Sequence, residues 1–450
     1  MKFLVTIFTV IIANSYSYSA QVDPAVTYIK KKKISVVLLL ESTCLSPNFT
    51  FDTLKEQNIS CADQIAKSIH TKSVRPLWIS HAVALEASKI QIQMLAKHPW
   101  VKKIYLNHNF IFENSASDSD SLGEFPYSFS QIRLDQVKQK YPDLDGSGQY
   151  IGVIDTGVDG NHTFLKNKIF KFFDSEKNRL TEANDPAGHG THVTGILVAN
   201  QFGVTPAAKV VAVKMLNVEG AIRAMQFMAE QKLVRVVNNS WGEQDLPDIE
   251  IYYRALNVWQ NLGIVPIFSA GNTGPNPQTL THPKEHPSTV VVGASNKDGS
   301  VAKTSSRGPG EFNGKLLPKP ELIAPGEKIY STLPDNRFGE WSGASMAAPL
   351  VTGTVALMLQ VNPGLRCSEI RRNLISSAQD FQNGWKADRG YGILDSMRAI
   401  ELSQIVISSP IKLMPMMMRG IWPHAEVENN ESKEVDMFYF PDELQGISWN

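Results

Sequence analysis

The feature that most restricts the fold of this chain is an alternation of short apolar runs and longer helical stretches between residues 125 and 403. The clearest runs are rich in valine and isoleucine and lie at residues 150–154, 210–213, 234–237 and 264–268. Such runs are typical of strands buried on both faces, and the helical stretches between them supply the crossovers that parallel strands need. The pattern predicts a three-layer α/β domain with a mostly parallel sheet.

A smaller unit precedes this domain. Strands are predicted at residues 34–40, 78–85 and 101–106. A helix is predicted over residues 87–98, with Ile90, Met94 and Leu95 spaced to share one buried face. The mixture of elements predicts a small α+β domain over residues 20–113.

The chain has three cysteines, too few for a disulfide-dense scaffold or a four-cysteine zinc site. Cys44 and Cys61 both lie in the small unit, where a disulfide and two free buried thiols are equally compatible with the sequence. If that unit is removed, the remaining chain keeps only Cys367 and forms no internal disulfide.

Residues 1–19 are predicted to be a secretory signal peptide. Lys2 provides a positive start, residues 3–13 are almost wholly apolar, and Ser17 and Ser19 are small residues where a signal peptidase inspects the chain. The apolar run is well short of the roughly 20 residues that span a bilayer. We therefore expect a secreted or periplasmic protein whose mature form has no membrane span.

Composition limits the classes of function. Lysine plus arginine and aspartate plus glutamate both number 44, so no net charge attracts the chain to nucleic acid. Residues 114–124 are polar and predict a linker suited to cleavage, and residues 404–450 predict an acidic, Met-rich tail. The catalytic domain is expected to cover residues 125–403.

Three glycine-containing segments each present one reactive side chain. Asp155 follows an apolar strand, His189 begins a predicted helix, and Ser345 lies at another helix start, with Pro349 expected in that helix's first turn. Taken singly, each residue has an ordinary structural explanation as a turn or helix-capping group. His189 and His192 lack the spacing and the intervening glutamate of a zinc protease motif, so no metal site is expected.

Together the three residues occur in the order Asp, His, Ser, which is the order of a subtilisin-type triad. The segments around them resemble the motifs of the subtilase family of serine proteases. Further matching blocks begin at Asn239, Ser269, Ser305, Lys319 and Gly390. The resemblance covers roughly residues 148–400.

The resemblance implies a role for each residue of the site. Ser345 is the expected nucleophile, His189 the general base and acid, and Asp155 the group that orients His189. The side-chain amide of Asn272 and the backbone N–H of Ser345 are expected to bind the oxyanion.

Substrate binding is also implied by the resemblance. One wall, expected to pair with the peptide backbone, is Ser240, Trp241 and Gly242, and the pocket for the residue before the cut is lined by Ser269, Ala270 and Gly271. Trp241 is equally compatible with an ordinary core position. Two departures concern this region: Ala344 replaces the family's usual threonine, and the stretch between residues 215 and 237 is short.

The resemblance predicts an exported serine endopeptidase made as a zymogen, with residues 20–113 as an inhibitory propeptide. Its partners would be polypeptide substrates and its own propeptide. No cofactor is expected; calcium is common in the family, but no ligand set can be assembled from the sequence. The alternative is a catalytically silent peptide-binding protein on the same fold.

Overall fold

The computed structural model describes residues 19–45, 51–110, 115–118, 127–243 and 249–404. The predicted signal peptide, apart from its last residue, and nearly all of the predicted tail lie outside this part of the chain. The described residues form two compact units, one of residues 19–76 and 81–106 and one of residues 77–80 and 107–404.

The first unit contains strands and helices in mixed order. They are β1 (Gln21–Val22), α1 (Ala25–Tyr28), β2 (Ile34–Leu40), α2 (Phe51–Ser68), β3 (Arg75–Leu77), β4 (Ala82–Ala87), α3 (Lys89–Leu95) and β5 (Val101–Leu106). The sheet order is β1-β5-β2-β4-β3, with β2 antiparallel to both β4 and β5. Alternate residues of β2, such as Val36 and Leu38, pack with Ile65 of α2 and Leu95 of α3 in one core. The predicted α+β character is confirmed.

Two local predictions in this unit are wrong. The expected strand at residues 78–85 is a 3₁₀ turn at Trp78–Ser80 followed by β4, and His81 between them has a left-handed φ of 48°. The helix α3 is shorter than predicted and turns a different face inward. Ile92 and Leu95 are buried, whereas Ile90 and Met94 are exposed.

Cys44 and Cys61 form a disulfide with a Cα–Cα separation of 6.1 Å. Cys44 ends the 3₁₀ turn Ser42–Cys44, and Cys61 lies on the buried side of α2. The bridge therefore fastens α2 to the chain that leaves β2.

The second unit is built on an eight-stranded sheet. Its strands are β7 (Tyr150–Asp155), β8 (Ile169–Asp174), β9 (Arg179–Leu180), β10 (Lys209–Lys214), β11 (Val234–Asn239), β12 (Val265–Ser269), β13 (Val290–Ser295) and β16 (Leu322–Pro325). Their order is β16-β13-β12-β11-β7-β10-β8-β9, and every pair is parallel except β8 with β9. The shorter strands outside this sheet are β6 (Ser115–Asp118), β14 (Gly310–Phe312), β15 (Lys315–Leu317), β17 (Ile329–Leu333) and β18 (Arg337–Ser342).

Helices cover both faces of this sheet. They are α4 (Tyr127–Gln131), α5 (Leu134–Lys140), α6 (His189–Val198), α7 (Val218–Ala229), α8 (Glu250–Asn261), α9 (Ala344–Val361), α10 (Cys367–Ser377) and α11 (Ser396–Gln404). Ile151 and Val153 of β7 share a core with α6 and α9, whereas Gly152 faces Met228 of α7. The predicted three-layer α/β architecture is confirmed.

One helix in the described part of the chain, α9, is long and apolar enough to cross a membrane by length and composition. Nearly all of its residues are buried, and it packs in the core with α6. These properties are those of the central helix of a folded domain. Pro349 lies at its sixth residue, beyond the first turn, because the helix begins at Ala344, earlier than the sequence predicts.

Candidate active site

Asp155 and His189 form a buried hydrogen-bonded pair. Asp155 is the last residue of β7, and His189 is the first residue of α6. Nδ1 of His189 lies 2.6 Å from Oδ1 of Asp155, and the backbone N–H of Thr156 donates to the same oxygen at 2.7 Å. Because a carboxylate only accepts, Nδ1 carries the proton and Nε2 is left to act as a base.

The electrostatics of this pair follow from its burial. Burial acts to lower the pKa of His189, but the charge of Asp155 and its hydrogen bond outweigh that effect, and the pKa of His189 is raised. Burial raises the pKa of Asp155, and the interaction with His189 opposes this shift. The pair thus favours a positive charge on His189, which is what a base needs once it has taken a proton.

A second carboxylate, Asp185, holds the start of α6. One of its oxygens accepts from the backbone N–H of Gly188 at 2.9 Å, and the other accepts from the N–H and hydroxyl of Thr191 at 2.8 and 2.7 Å. The hydroxyl of Thr156 also donates to Asp185, at 2.8 Å. Asp185 therefore links the strand end that carries Asp155 to the turn that carries His189.

Asp185 is not among the residues that the sequence motifs predict, although the sequence contains a signal for it. An aspartate a few residues before a helix start is a typical partner for unpaired N–H groups of the first turn. Here Gly188 has a left-handed φ of 85°, a conformation that favours glycine, and this brings the Asp185 carboxylate and the helix N–H groups together.

Ser345 lies in the first turn of α9 and is 6% exposed. Its hydroxyl lies 3.5 Å from the carbonyl oxygen of Ser240, at the outer limit of a hydrogen bond. Pro349 has no N–H to donate to the Ser345 carbonyl four residues earlier, and the hydroxyl of Ser240 donates to that carbonyl instead, at 2.9 Å. Ser240 thus supports the nucleophile's backbone.

Asn272 is oriented by the helix that carries Ser345. The backbone N–H of Ala344 donates to Oδ1 of Asn272 at 2.9 Å, which leaves the amide Nδ2 on the other side as a donor. Gly343 has a φ of 152°, and a Cβ atom there would lie 3.1 Å from Nδ2. Glycine therefore keeps space open beside this amide.

The sheet brings these groups to one edge. Asp155 ends β7, Ser240 follows β11 and Asn272 follows β12, and the three strands are neighbours and parallel. The carboxyl ends of parallel strands meet at the same edge, where α9 begins with Ala344 and Ser345. Trp341 of β18 lies beside this edge, with its ring centroid 6.1 Å from that of His189.

The predicted substrate-binding residues lie along the same edge. Ser269, Ala270 and Trp241 are buried, and Gly242 and Gly271 are partly exposed. The indole N–H of Trp241 donates to Oδ1 of Asn239 at 3.1 Å.

The segment Asn107–Phe110 lies between Trp241 on one side and the stretch after β10 on the other. Phe110 stacks on Trp241 with ring centroids 5.7 Å apart, and its N–H donates to the carbonyl of Leu216 at 2.8 Å. Asn109 forms an antiparallel bridge with Asn217, and Nε2 of His108 lies 2.5 Å from Oε2 of Glu243. The short stretch after β10 therefore still presents backbone groups that pair with an extended chain.

His192 is a buried ring that packs in the fold beside His189. Nε2 lies 3.1 Å from the carbonyl oxygen of Gly339, the ring stacks on Trp341 at 4.9 Å, and burial lowers the pKa of His192 to about 3.

Within the described residues, the cluster of His, Cys, Asp and Glu side chains close enough to hold a metal is Cys44, Cys61 and His81. Its two thiols form the disulfide, and sulfur and nitrogen donors do not suit calcium.

A buried Asp–His pair, a serine at a helix start and an asparagine oriented by that helix, all at the edge of a parallel sheet, are the arrangement of a serine protease. The sequence profile of the subtilase family matches residues 146–392, more than half of the chain. The chain belongs to the subtilase family.

Individual relatives agree with this membership. Bacillopeptidase F of Bacillus subtilis is 28% identical over 401 residues, which are 78% of this chain but only 27% of that protein. Subtilisin DY of Bacillus licheniformis is 32% identical over 277 residues, which are 59% of this chain and 95% of that protein. The crystal structure of fervidolysin from Fervidobacterium pennivorans, a keratinolytic enzyme related to subtilisin, is similar in fold, with a TM-score of 0.65 and 21% identity over 86% of this chain and 63% of that one.

Proposed function

We propose that this protein is an exported serine endopeptidase, made as a zymogen, that hydrolyses peptide bonds in polypeptides. The observation that carries the proposal is the 2.6 Å hydrogen bond between His189 and Asp155 at the sheet edge where Ser345 lies in the first turn of α9. That pair can accept a proton in a buried environment, and a serine hydroxyl needs such a base at neutral pH.

In the acylation step, Oγ of Ser345 attacks the carbonyl carbon of the substrate while its proton passes to Nε2 of His189. The C–N bond then breaks, and the proton on Nε2 moves to the leaving amine. The product is an acyl ester on Ser345 and a free amine.

In the deacylation step, a water molecule attacks the ester and gives a proton to Nε2 of His189. The ester C–O bond breaks, and that proton returns to Oγ of Ser345. The peptide leaves as a carboxylic acid. Every proton transfer in this scheme is assigned to His189, so the proposed chemistry requires no cofactor.

The oxyanion would be bound by Nδ2 of Asn272 and the backbone N–H of Ser345. The hydrogen bond from Ala344 N–H to Oδ1 supports this role, because it orients the amide with Oδ1 as the acceptor toward the helix and Nδ2 as the donor on the other side. The threonine hydroxyl that the family usually has at position 344 is absent, but the backbone donor of Ala344 does not depend on the side chain.

The zymogen proposal rests on the segment Asn107–Phe110, which lies near the carboxyl end of the predicted propeptide of residues 20–113. This segment pairs with Asn217, in the stretch after β10, and stacks on Trp241, in the segment predicted to pair with the substrate backbone. An extended chain held in this way excludes other peptides from the same groups.

Strand β6 supports a narrower expectation for the processing site. Ser115 pairs with Ser342, three residues before the nucleophile, and Phe110 is fixed on the other side by Leu216 and Trp241. We therefore propose that the bond cut in processing lies between Phe110 and Ser115, at the amino-terminal end of the predicted 114–124 linker.

Export is supported by the sequence of residues 1–19 and by the disulfide between Cys44 and Cys61. Disulfides form and persist in oxidising compartments and are rare in the cytosol. The coarser membership of the subtilase family is compatible with this location.

The alternative, a silent peptide-binding protein, is not favoured by a specific observation. Two sequence features favour that alternative: Ala344 in place of the family's usual threonine, and the short stretch between residues 215 and 237. Ala344 keeps its bond to Asn272, and the short stretch pairs with Asn109 and Phe110.

The test is the replacement Ser345→Ala in the full chain. We expect the exported variant to keep its propeptide and to lose casein hydrolysis, while the wild type is processed between residues 110 and 115. Intact mass and amino-terminal sequencing measure the processing. Casein hydrolysis by the folded variant at the wild-type rate would contradict the proposal.

A further inference from the structure

Gly242, in the wall expected to pair with the substrate backbone, and Gly271, in the predicted pocket for the residue before the cut, both lie against polar side chains. A Cβ atom built on Gly242 would lie 2.6 Å from Nζ of Lys284, with Oγ1 of Thr281 closer still. A Cβ atom on Gly271 would lie 3.0 Å from the same Oγ1. Thr281 and Lys284 therefore occupy space between the two glycines.

The loop that carries Thr281 and Lys284 forms backbone hydrogen bonds with the segment after Gly242 and with the segment before Gly271. Glu243, which follows Gly242, exchanges backbone hydrogen bonds of 2.9 and 2.8 Å with His282. The N–H of Thr281 lies 3.4 Å from the carbonyl oxygen of Ala270. The backbone beside Lys284 is thus held in place relative to both Gly242 and Gly271.

Lys284 is a buried lysine for which the described residues provide no carboxylate at ion-pair distance. Its side chain is 1% exposed, and its ammonium donates to the hydroxyl of Thr281. Burial lowers the pKa of Lys284 to about 7, and the charge of Glu285 opposes that shift. Glu285 is engaged elsewhere, because one of its oxygens pairs with Nδ1 of His282. A buried charge without a counter-ion is unfavourable, so this site favours an anion.

Another buried lysine of the same unit shows the contrast. Nζ of Lys319 lies 2.6 Å from Oε1 of Glu321 and also donates to Thr289. Lys319 therefore has its counter-ion inside the fold. Lys284 has a hydroxyl in place of one, and it lies at a predicted binding pocket instead of in the core of the unit.

We propose that Lys284, together with Thr281, selects substrates with an acidic side chain, Asp or Glu, immediately before the scissile bond. This inference rests on the proposed peptidase function and names its specificity. The substrate carboxylate would accept hydrogen bonds from the Lys284 ammonium and the Thr281 hydroxyl. Neutral side chains of the same size would leave the buried ammonium without a counter-ion.

The chain's own processing region agrees with this specificity. Between Phe110 and Ser115 the sequence reads Ile, Phe, Glu, Asn, so Glu113 is the one acidic residue there. Selection of an acidic residue assigns the processing cut to the bond between Glu113 and Asn114.

The experiment compares two peptide substrates that differ only in Glu or Gln before the leaving group. We expect kcat/KM of the wild type to favour Glu by roughly 10- to 100-fold, as charge-assisted hydrogen bonds imply. In Lys284→Met the ratio should fall to about one. Lys138→Met, which removes a half-buried lysine bonded to Gly203, is the control and should keep the wild-type ratio.

The outcomes separate the specificity from the proposed function. A wild type that hydrolyses both peptides equally, or that is processed after a residue other than an acidic one, overturns the role of Lys284 but leaves the peptidase intact. A wild type that hydrolyses neither these peptides nor casein contradicts the peptidase itself. If Lys284→Met does not fold, the wild-type ratio and the processing site in wild type and Glu113→Gln decide the question; slower processing of Glu113→Gln is the expected result.

Discussion

At the scale of single residues, the protonation of His189 depends on Asp155. The carboxylate raises the pKa of His189 above its ordinary value of 6.5, against the effect of burial, and Asp185 acts in the same direction. His189 must be neutral to accept the proton of Ser345. Activity should therefore increase as the pH rises through a pKa above 6.5.

Replacing Asp155 with Asn tests this coupling. We expect kcat to fall about 10⁴-fold, because an amide does not fix the required tautomer or stabilise the charged ring. The acid limb of the residual kcat/KM profile should move to lower pH, since burial then acts on His189 with only Asp185 opposing it. Rate profiles from pH 5 to 9 measure the shift. An unchanged acid limb would mean that another group controls it.

Single residues also show what sequence patterns cannot reveal. The glycine-containing segments pointed to Asp155, His189 and Ser345, because each segment follows a strand or begins a helix, and the resemblance to the subtilase family added Asn272 to the predicted site. Lys284 was not predicted, since it lies in an irregular loop between prolines, and only the folded backbone brings it to Gly242.

At the scale of elements, the position of α6 depends on Asp185. Its carboxylate is 6% exposed and accepts five hydrogen bonds, four of them from the turn and first residues of α6. Removing it would leave buried donors without partners, which costs more than the net value of the bonds themselves.

We expect Asp185→Ala, made in the Ser345→Ala background to avoid self-digestion, to lower the free energy of unfolding by about 2–4 kcal/mol. Thermal unfolding followed by circular dichroism measures the change. The matched control is Asp298→Ala, which removes an exposed aspartate bonded only to Ser300 in its own turn and should hardly change the midpoint. Equal midpoints for the two variants would refute the capping role of Asp185.

Four of the eight strands of the large sheet, β7, β10, β11 and β12, were predicted to within two residues, because continuous apolar runs such as residues 150–154 indicate burial on both faces. The run at residues 78–85 failed because apolar composition does not distinguish a strand from a buried 3₁₀ turn. The face of α3 failed for a related reason: apolar spacing at Ile90 and Met94 indicates a shared face but not whether it is covered.

At the scale of the whole molecule, the large parallel sheet gathers the proposed chemistry at one edge. The proposed catalytic groups come from β7, from α6, from the residues after β12 and from α9, far apart in sequence, so they come together only in the folded second unit. Asn107–Phe110 and β6 border this site from two sides, and together they support self-processing as the first reaction of the enzyme.

The central claim is that Ser345 is a nucleophile activated by His189. The most direct measurement is labelling of the folded wild-type protein with a fluorophosphonate probe, followed by peptide mapping, with Ser345→Ala as the control. We expect one labelled residue, Ser345, and no label in the variant. A folded wild type that stays unlabelled, or a label on another serine, would contradict this assignment.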